Sequence, residues 1–354
     1  MKILHIAEPF ATGVLSFLLD LTKRQVEKHE VYIIYGVRPL TPHNVEDLFD
    51  KRIHLIKLDS FKGPVGSVVN PGSYIKIHQL YKKIAPDIVH LHSSAAGFIG
   101  RWCLPASKVK IFYTPHGFSF LKEDGSEISR KLFLFTEKIS AKRNSKIIAC
   151  SYGEYTEAKK LTANSTYVNN GINTLPLKPY ETDLNFSNNK NITVCTSGRI
   201  LYQKNPTLFN QIAELLPETN FVWIGEGELK TELASPNIRV TGWITRDKAL
   251  KILSESQFFI LPSRWEGLSI SLLEAMYLKK VCLVSNVIGN RDVIRNNENG
   301  FICNTAEEYA QNIRNIINGI SDASLITENS HQDVNQLYNI DLMADSYSKI
   351  YNEK

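Results

Sequence analysis

Two carboxylates stand either side of what reads as a helix start. Residues 263–276 run Ser-Arg-Trp-Glu-Gly-Leu-Ser-Ile-Ser-Leu-Leu-Glu-Ala-Met, and the acids are Glu266 and Glu274. An apolar run, Phe258–Leu261, comes just before and reads as a buried strand, while Leu268, Leu272 and Leu273 fall on one stripe of the helix that follows. Glu266 is therefore expected in the turn after the strand, and Glu274 about two turns into the helix. Between them the first helical N–H groups have no intrahelical partner and can face an anion. A carboxylate at each end with amides between suits a ligand that carries hydroxyls at both ends and a diphosphate in the middle, the shape of a nucleotide-sugar. Two solvated glutamates on an ordinary strand–loop–helix unit are the plainer alternative, and the spacing alone does not separate the two.

Further groups of the same kind lie upstream. Gly198-Arg199-Ile200-Leu201-Tyr202-Gln203-Lys204-Asn205-Pro206 offers a planar guanidinium fork and a mobile ammonium, both suited to phosphate oxygens, on a loop that enters a helix near Pro206. If this loop lies beside residues 266–274, the two make a cationic cradle without a metal; otherwise Arg199 and Lys204 are solvated cations. Gly225-Glu226-Gly227 lacks the third glycine of a dinucleotide fingerprint and reads as a tight turn letting backbone approach a ligand base. Thr114-Pro115-His116-Gly117 ends a strand and puts His116 at its edge, as a ligand contact or a structural hydrogen bonder. His90 and His92 share one strand face, but with no third ligand at hand a metal site is not expected. Gly13, with Thr12 before it, lies in the first strand-to-helix loop, where the start of a helix over 14–28 could bind a phosphate or an acceptor hydroxyl.

These groups need a scaffold. β-branched runs at Ile3–Ala7, Val31–Tyr35, His54–Lys57, Ile88–His92, Lys110–Thr114 and Ile147–Ser151 alternate with helical patterns at 14–28, 73–84, 129–144 and 152–160. After an irregular stretch the alternation restarts. Strands are expected at Ile192–Ser197, Asn220–Ile224, Ile238–Thr241, Phe258–Leu261 and Val281–Ser285, with helices near 205–216, 246–254, 269–278, 290–295 and 306–318. Such alternation implies parallel strands with helices on both faces, and ligands beyond the carboxyl ends of the strands. The expected division is a first domain over 1–172, a linker over 173–191, a second domain over 192–335, and a C-terminal helix over 336–354 that packs back on the first domain.

The chain has 354 residues, enough for two domains with separate cores, and its 43% apolar and 22% charged content is that of a soluble globular protein. Five scattered cysteines have neither metal-ligand nor redox spacing, which fits a reducing cytosol. The first apolar run is too short for a signal peptide, and no stretch reaches the ~20 apolar residues of a membrane span. Charge is uneven: residues 1–171 hold 24 basic and 15 acidic side chains, against 17 and 21 in the remainder. A basic first half expects an anionic partner, whether a membrane surface, a lipid-linked acceptor or nucleic acid, and no nucleic-acid reader motif is present. Lys131, Lys138 and Lys142 form one helical stripe beside Leu132, Phe135 and Ile139; a buried apolar face with solvated lysines and a lipid-touching surface are the two readings.

Taken in order, these motifs resemble a retaining glycosyltransferase of family 4 (glycosyl transferases group 1), of the bacterial surface-polysaccharide type. The likeness runs through Pro86 to His92, His116-Gly117, Ser151, Asn170-Gly171-Ile172-Asn173, Gly198-Arg199 with Gln203 to Pro206, Gly225-Glu226-Gly227, Glu266 to Glu274, and Asn299-Gly300-Phe301. The resemblance implies the GT-B fold, two Rossmann-like doubly wound α/β domains facing across a cleft. It implies donor contacts from Gly198, Arg199, Lys204, Gly225, Gly227, Glu266, Gly267, Leu268, Ser269, Ile270 and Glu274. Arg199 and Lys204 would hold the diphosphate, Glu274 the ribose and Glu266 the sugar. His116 would meet the sugar's hydroxyls, and Gly13 with Thr12 would lie on the acceptor side. Many relatives carry two glycines in that first loop, where Thr12 stands here.

The implied activity is transfer of a sugar from a nucleotide-sugar, with UDP as the expected carrier, to a glycan or polyprenyl-diphosphate-linked acceptor. It would take place at the cytoplasmic face of a membrane, with no cofactor and, since no Asp-x-Asp run is present, no metal. A sugar-nucleotide epimerase of the same fold and a non-catalytic nucleotide-sugar-binding subunit are the alternatives.

Overall fold

A computed structural model describes residues 1–182 and 192–353. The chain forms two compact units, Met1–Asn170 with Ile340–Lys354, and Gly171–Asn339. Of the expected linker over 173–191, residues 183–191 lie outside the described residues; 171–182 fall in the second unit and carry a single 3₁₀ turn, Lys178–Tyr180.

The first unit runs β1 (Lys2–Ala7), α1 (Thr12–Gln25), β2 (Glu30–Tyr35), β3 (His54–Lys57), α2 (Pro64–Val69), α3 (Pro71–Ile84), β4 (Ile88–His92), α4 (Ser93–Cys103), β5 (Lys110–Thr114), α5 (Glu127–Ser140), β6 (Lys146–Ala149), α6 (Tyr152–Leu161) and β7 (Ser165–Tyr167). The sheet is parallel, in the order β3-β2-β1-β4-β5-β6-β7. Strand order reverses at β1 and β4, the place where doubly wound sheets receive ligands.

Alternation along each strand divides the core. Ile3, Val31, Ile33, Ile88 and Phe112 pack with α1 and the C-terminal helix (Ile340–Asn352), while Leu4, Ile6, Val89, Leu91 and Tyr113 face the other side with α3 and α4. His5, His90 and His92 fall by the same parity on the first of these faces and are fully buried there.

The second unit runs β8 (Thr193–Ser197), α7 (Pro206–Glu214), β9 (Asn220–Ile224), β10 (Ile238–Val240), α8 (Arg246–Glu255), β11 (Phe258–Leu261), α9 (Ile270–Tyr277), β12 (Val281–Ser285), α10 (Asn290–Val293), β13 (Phe301–Cys303), α11 (Ala306–Ile317) and α12 (Ala323–Leu337). Its parallel sheet has the order β10-β9-β8-β11-β12-β13, over a core that includes Val194, Phe209, Phe221, Trp223, Phe258, Ile260 and Leu283. The C-terminal helix, α13, follows.

Several elements depart from the sequence expectation. α4 opens on Ser-Ser-Ala-Ala-Gly, and Gly97 and Gly100 are in it because a Cβ there would strike the Tyr113 ring at 2.3 Å and Leu91 at 2.4 Å. Close packing thus replaces helix propensity. α2, β7 and β13 are too short for periodicity to register. α12 is mostly polar and turns only Ile326, Thr327, Ser330 and Val334 inward. α1 begins at Thr12 rather than 14, so Thr12 and Gly13 form its first turn.

The apolar stripe of α5, for which burial is one of the two readings, faces outward at Leu132 and Phe135. Ile128, Leu132 and Phe135 are 80%, 59% and 59% exposed, whereas Glu137 and Ser140 are buried. The helix is anchored by charge: Glu137 accepts from Arg101 Nη2 and from the Tyr113 hydroxyl, both at 2.8 Å, and the guanidinium lies 4.2 Å over the Tyr113 ring. No described helix is long and apolar enough to cross a membrane.

Candidate active site

In the second unit the two expected loops do meet. Lys204 Nζ lies 2.6 Å from Glu266 Oε1, and both side chains are largely buried. The loops are also stitched by backbone: Arg264 N–H donates to Gln203 O at 2.8 Å, and the Gln203 amide donates to Trp265 O at 3.0 Å. Asn205, in left-handed conformation at φ 54°, caps α7 and accepts from Arg264 Nη2 at 3.0 Å. Lys204 and Glu266 are thus fixed side by side, with the Lys204 stem against Gly198. Arg199 stands further out, partly exposed and 3.5 Å from the exposed Glu228.

α9 begins after Ser269, and no side chain caps its first turn. The amides of Leu268, Ser269 and Ile270 lie at that end, with Gly267 just before. Glu274 is a little over one turn into α9, not two, because the helix starts only at Ile270; it is nearly buried and accepts from Arg246 Nη2 at 2.6 Å. Arg246 opens α8 and was not foreseen, because nothing in its local sequence marks it as a partner for a residue 28 positions away.

The glycines at 225, 227 and 289 bring neighbouring loops together. A Cβ on Gly225, at φ 144°, would sit 2.2 Å from Gly198 O, and one on Gly227 would sit 2.3 Å from Ile200 O. They therefore let the 225–229 turn lie flat on the 198–200 loop, which the bond from Ile200 N to Glu226 O joins. Gly289, at φ 84°, does the same on the other side: a Cβ there would meet Gly267 O at 1.9 Å.

In the first unit, His116 has φ 53° and Gly117 φ 94°, so the chain turns sharply at the end of β5. Gly117 N–H donates to Glu154 Oε1 at 2.6 Å, and Cys150 N–H to Glu154 Oε2 at 2.7 Å, which pins the turn to α6. His116 Nε2 lies 3.1 Å from His92 Nδ1, and Phe17 meets its ring edge-on at 4.7 Å.

The expectation that His90 and His92 lack a third partner is corrected. β1 pairs with β4, placing His5 opposite His90, and ligating atoms of His5, His90 and His92 fall within 4.8 Å of one another. Every ring nitrogen of the three is engaged by protein. His5 Nδ1 meets His92 Nε2 at 2.9 Å and His5 Nε2 meets Gln25 Oε1 at 2.8 Å. His90 meets the Tyr351 hydroxyl at 2.6 Å and Thr114 Oγ1 at 2.8 Å. Burial pushes His116 down to about 3 and His5 to about 4, and holds His90 and His92 well below the usual histidine range, helped by the neighbouring rings.

Thr12 stands at φ 48°, a left-handed conformation that a β-branched residue adopts only under strain and glycine adopts freely. Gly13 beside it has open space where a Cβ would stand. Glu8, at the end of β1 and missed in the sequence, is buried. It accepts from Arg38 Nη2 at 2.6 Å, Gly63 N–H at 3.1 Å and the Ser67 hydroxyl at 3.2 Å, so it organises the loops beside α1.

The chain thus holds two doubly wound parallel sheets, the second carrying a cation–carboxylate pair beside a helix start without a side-chain cap. The chain matches the family described as glycosyl transferases group 1 over residues 181–333 and that described as Glycosyltransferase Family 4 over residues 11–174. It belongs to this glycosyltransferase family, and its two Rossmann-like units are those of the GT-B fold.

It is 29% identical to the Escherichia coli UDP-Gal:alpha-D-GlcNAc-diphosphoundecaprenol alpha-1,3-galactosyltransferase, over 72% of each chain. It is 22% identical to the GDP-mannose:cellobiosyl-diphosphopolyprenol alpha-mannosyltransferase of Komagataeibacter xylinus, over 100% of this chain and 93% of the relative. Among solved structures, sucrose-phosphate synthase from Thermosynechococcus elongatus superposes with a TM-score of 0.81 at 16% identity, covering 99% of this chain and 98% of that one. Anabaena HepE in complex with UDP gives 0.77 at 15%, covering 99% of both.

Proposed function

We propose that this protein is a retaining, metal-independent glycosyltransferase. It moves a hexosyl or N-acetylhexosaminyl group from a UDP-sugar to a polyprenyl-diphosphate-linked oligosaccharide in surface polysaccharide synthesis. The observation that carries the reading is the contact between Lys204 and Glu266 beside the uncapped start of α9. The carrier and acceptor classes are supported by the E. coli relative, whose name specifies a UDP-sugar and a diphosphoundecaprenol acceptor, and by the UDP held by HepE.

The chemistry follows from where charge develops. As the bond from the anomeric carbon to the diphosphate breaks, negative charge grows on the departing oxygen. Lys204, Arg199 and the α9 amides stabilise it. The acceptor hydroxyl attacks from the same face, its oxygen bonding to the anomeric carbon as its proton passes to the departing phosphate. Glu266, held by Lys204, positions the sugar; Glu274 binds the ribose after exchanging Arg246 for it. His116 meets a sugar hydroxyl. The first unit is basic, and the exposed Ile128, Leu132 and Phe135 stand on α5 with Lys131 and Lys138, a face that suits an anionic membrane surface on the cytoplasmic side.

The test is transfer from UDP-sugars to a synthetic polyprenyl-diphosphate acceptor in chelator. Arg199→Ala and Lys204→Ala are each expected to lower turnover by ~2–4 kcal/mol of transition-state stabilisation. Wild-type rates in both variants, or conversion of donor in the absence of acceptor, would refute the reading.

A further inference from the structure

Four side chains form an unbroken row through the core of the first unit, from the end of α1 to the turn after β5. Gln25 Oε1 faces His5 Nε2, His5 Nδ1 faces His92 Nε2, and His92 Nδ1 faces His116 Nε2, at 2.8, 2.9 and 3.1 Å. Gln25, His5 and His92 are buried, and His116 is half-buried at the open end. A neutral imidazole has one N–H and one bare nitrogen, so a row of three must donate all in one direction. The carbonyl oxygen of Gln25 can only accept. His5 therefore donates from Nε2, which leaves His5 Nδ1 to accept from His92 Nε2, and His92 Nδ1 to accept from His116 Nε2.

We propose that Gln25, His5 and His92 are positioning residues that lock His116 in the tautomer protonated at Nε2, so that its bare Nδ1 is offered to a hydroxyl of the bound sugar. The histidines at 5 and 92 reach substrate only through this row. Burial keeps all three rings neutral, and a charged ring anywhere in the row would break its single direction. Among the described residues no protein group occupies His116 Nδ1, whereas its Nε2 is taken. The turn conformation of His116 and the bond from Gly117 to Glu154 hold the ring against this row. A site wired this way accepts from a hydroxyl and rejects a sugar that has only an acceptor there, such as a fluoro analogue. The substrate half rests on the proposed function; the wiring does not.

The experiment is a long-range ¹H–¹⁵N correlation spectrum of the full chain labelled with ¹⁵N-histidine, without ligand at pH 7, assigned with His116→Asn. The expected result is one form for His5, His92 and His116, each neutral and protonated at Nε2. A proton on His116 Nδ1, or a doubly protonated ring at His5 or His92, would overturn the wiring without reference to any activity. In Gln25→Leu the direction is no longer set. His116 should then show mixed tautomers, and kcat should fall about tenfold with the nucleotide-sugar Kd unchanged. Unchanged tautomers and kcat in that variant would overturn the role of Gln25, and the wild-type spectrum still decides if the variant does not fold. A single-form spectrum together with wild-type transfer by His116→Asn would overturn the substrate half alone.

Discussion

Mild acid should destabilise the first unit selectively, by an amount that its four buried histidines set. His5, His90, His92 and His116 all have folded-state pKa values depressed below 6.5, with burial the main cause in each case. The sign is that of a native state binding fewer protons than the unfolded chain. Stability therefore falls as pH drops through the unfolded value near 6.5, and keeps falling until the folded values, about 4 for His5 and about 3 for His116, are reached. From pH 7.0 to 5.5, integrating proton uptake by an unfolded histidine gives about 1.2 kcal/mol per residue, and about 5 kcal/mol for all four. That compares with the 5–15 kcal/mol or so that holds a typical domain together.

The assay is urea unfolding at the two pH values, with hydrogen exchange read in peptides covering β1 and β4 so that the second unit does not mask the first. His5→Gln is expected to remove about a quarter of the pH dependence, again about 1.2 kcal/mol. A first unit equally stable at both pH values, or an unchanged dependence in His5→Gln, would show that the buried histidines do not set its acid stability.

Other perturbations test separate parts of the structure. Glu274→Gln should weaken UDP binding by about tenfold or more, the scale of a hydrogen bond to a charged group, as measured by calorimetry; unchanged affinity would remove the ribose role. Glu137→Leu should cost about 3–5 kcal/mol in urea melts by stranding the buried Arg101, while Arg101→Met combined with Glu137→Leu should recover most of the loss. Ile128→Ser with Phe135→Ser should reduce flotation with anionic vesicles at least about tenfold without changing thermal stability, since both side chains are exposed; undiminished flotation would remove α5 from membrane contact.

The regular strands were the most legible part of the sequence. β3, β4, β5, β9, β11 and β12 begin and end where the sequence pattern places them. For β11 and β12 the reason is burial on both faces, which demands a nearly continuous apolar run, whereas β3 is a half-exposed edge strand. The proximity of the 198–206 and 263–276 loops was also within reach, since both follow the carboxyl ends of adjacent strands. Contacts over long sequence separation were not. Nothing near His5 signals His92 or Gln25, and Arg246 and Glu274 are joined only once the sheet is assembled. α5 shows the limit of periodicity: its pattern marks an amphipathic helix but not which face turns inward, and a buried Arg101–Glu137 pair decided that. The glycines at 225 and 227 read as a tight turn in the sequence, but the loop they pack against was not legible, because a missing Cβ looks the same whether ligand or backbone needs the space.

Backbone packing of this kind constrains how the second unit's loops can change. Around Lys204 and Glu266, Gly225, Gly227 and Gly289 bring the main chains of neighbouring loops into direct contact. The frame around Lys204 and Glu266 is thereby built from peptide groups, which mutation of ordinary side chains leaves intact. Side chains on these loops can be exchanged one at a time without moving that frame, whereas a Cβ at any of the three glycines would strike backbone and push the loops apart.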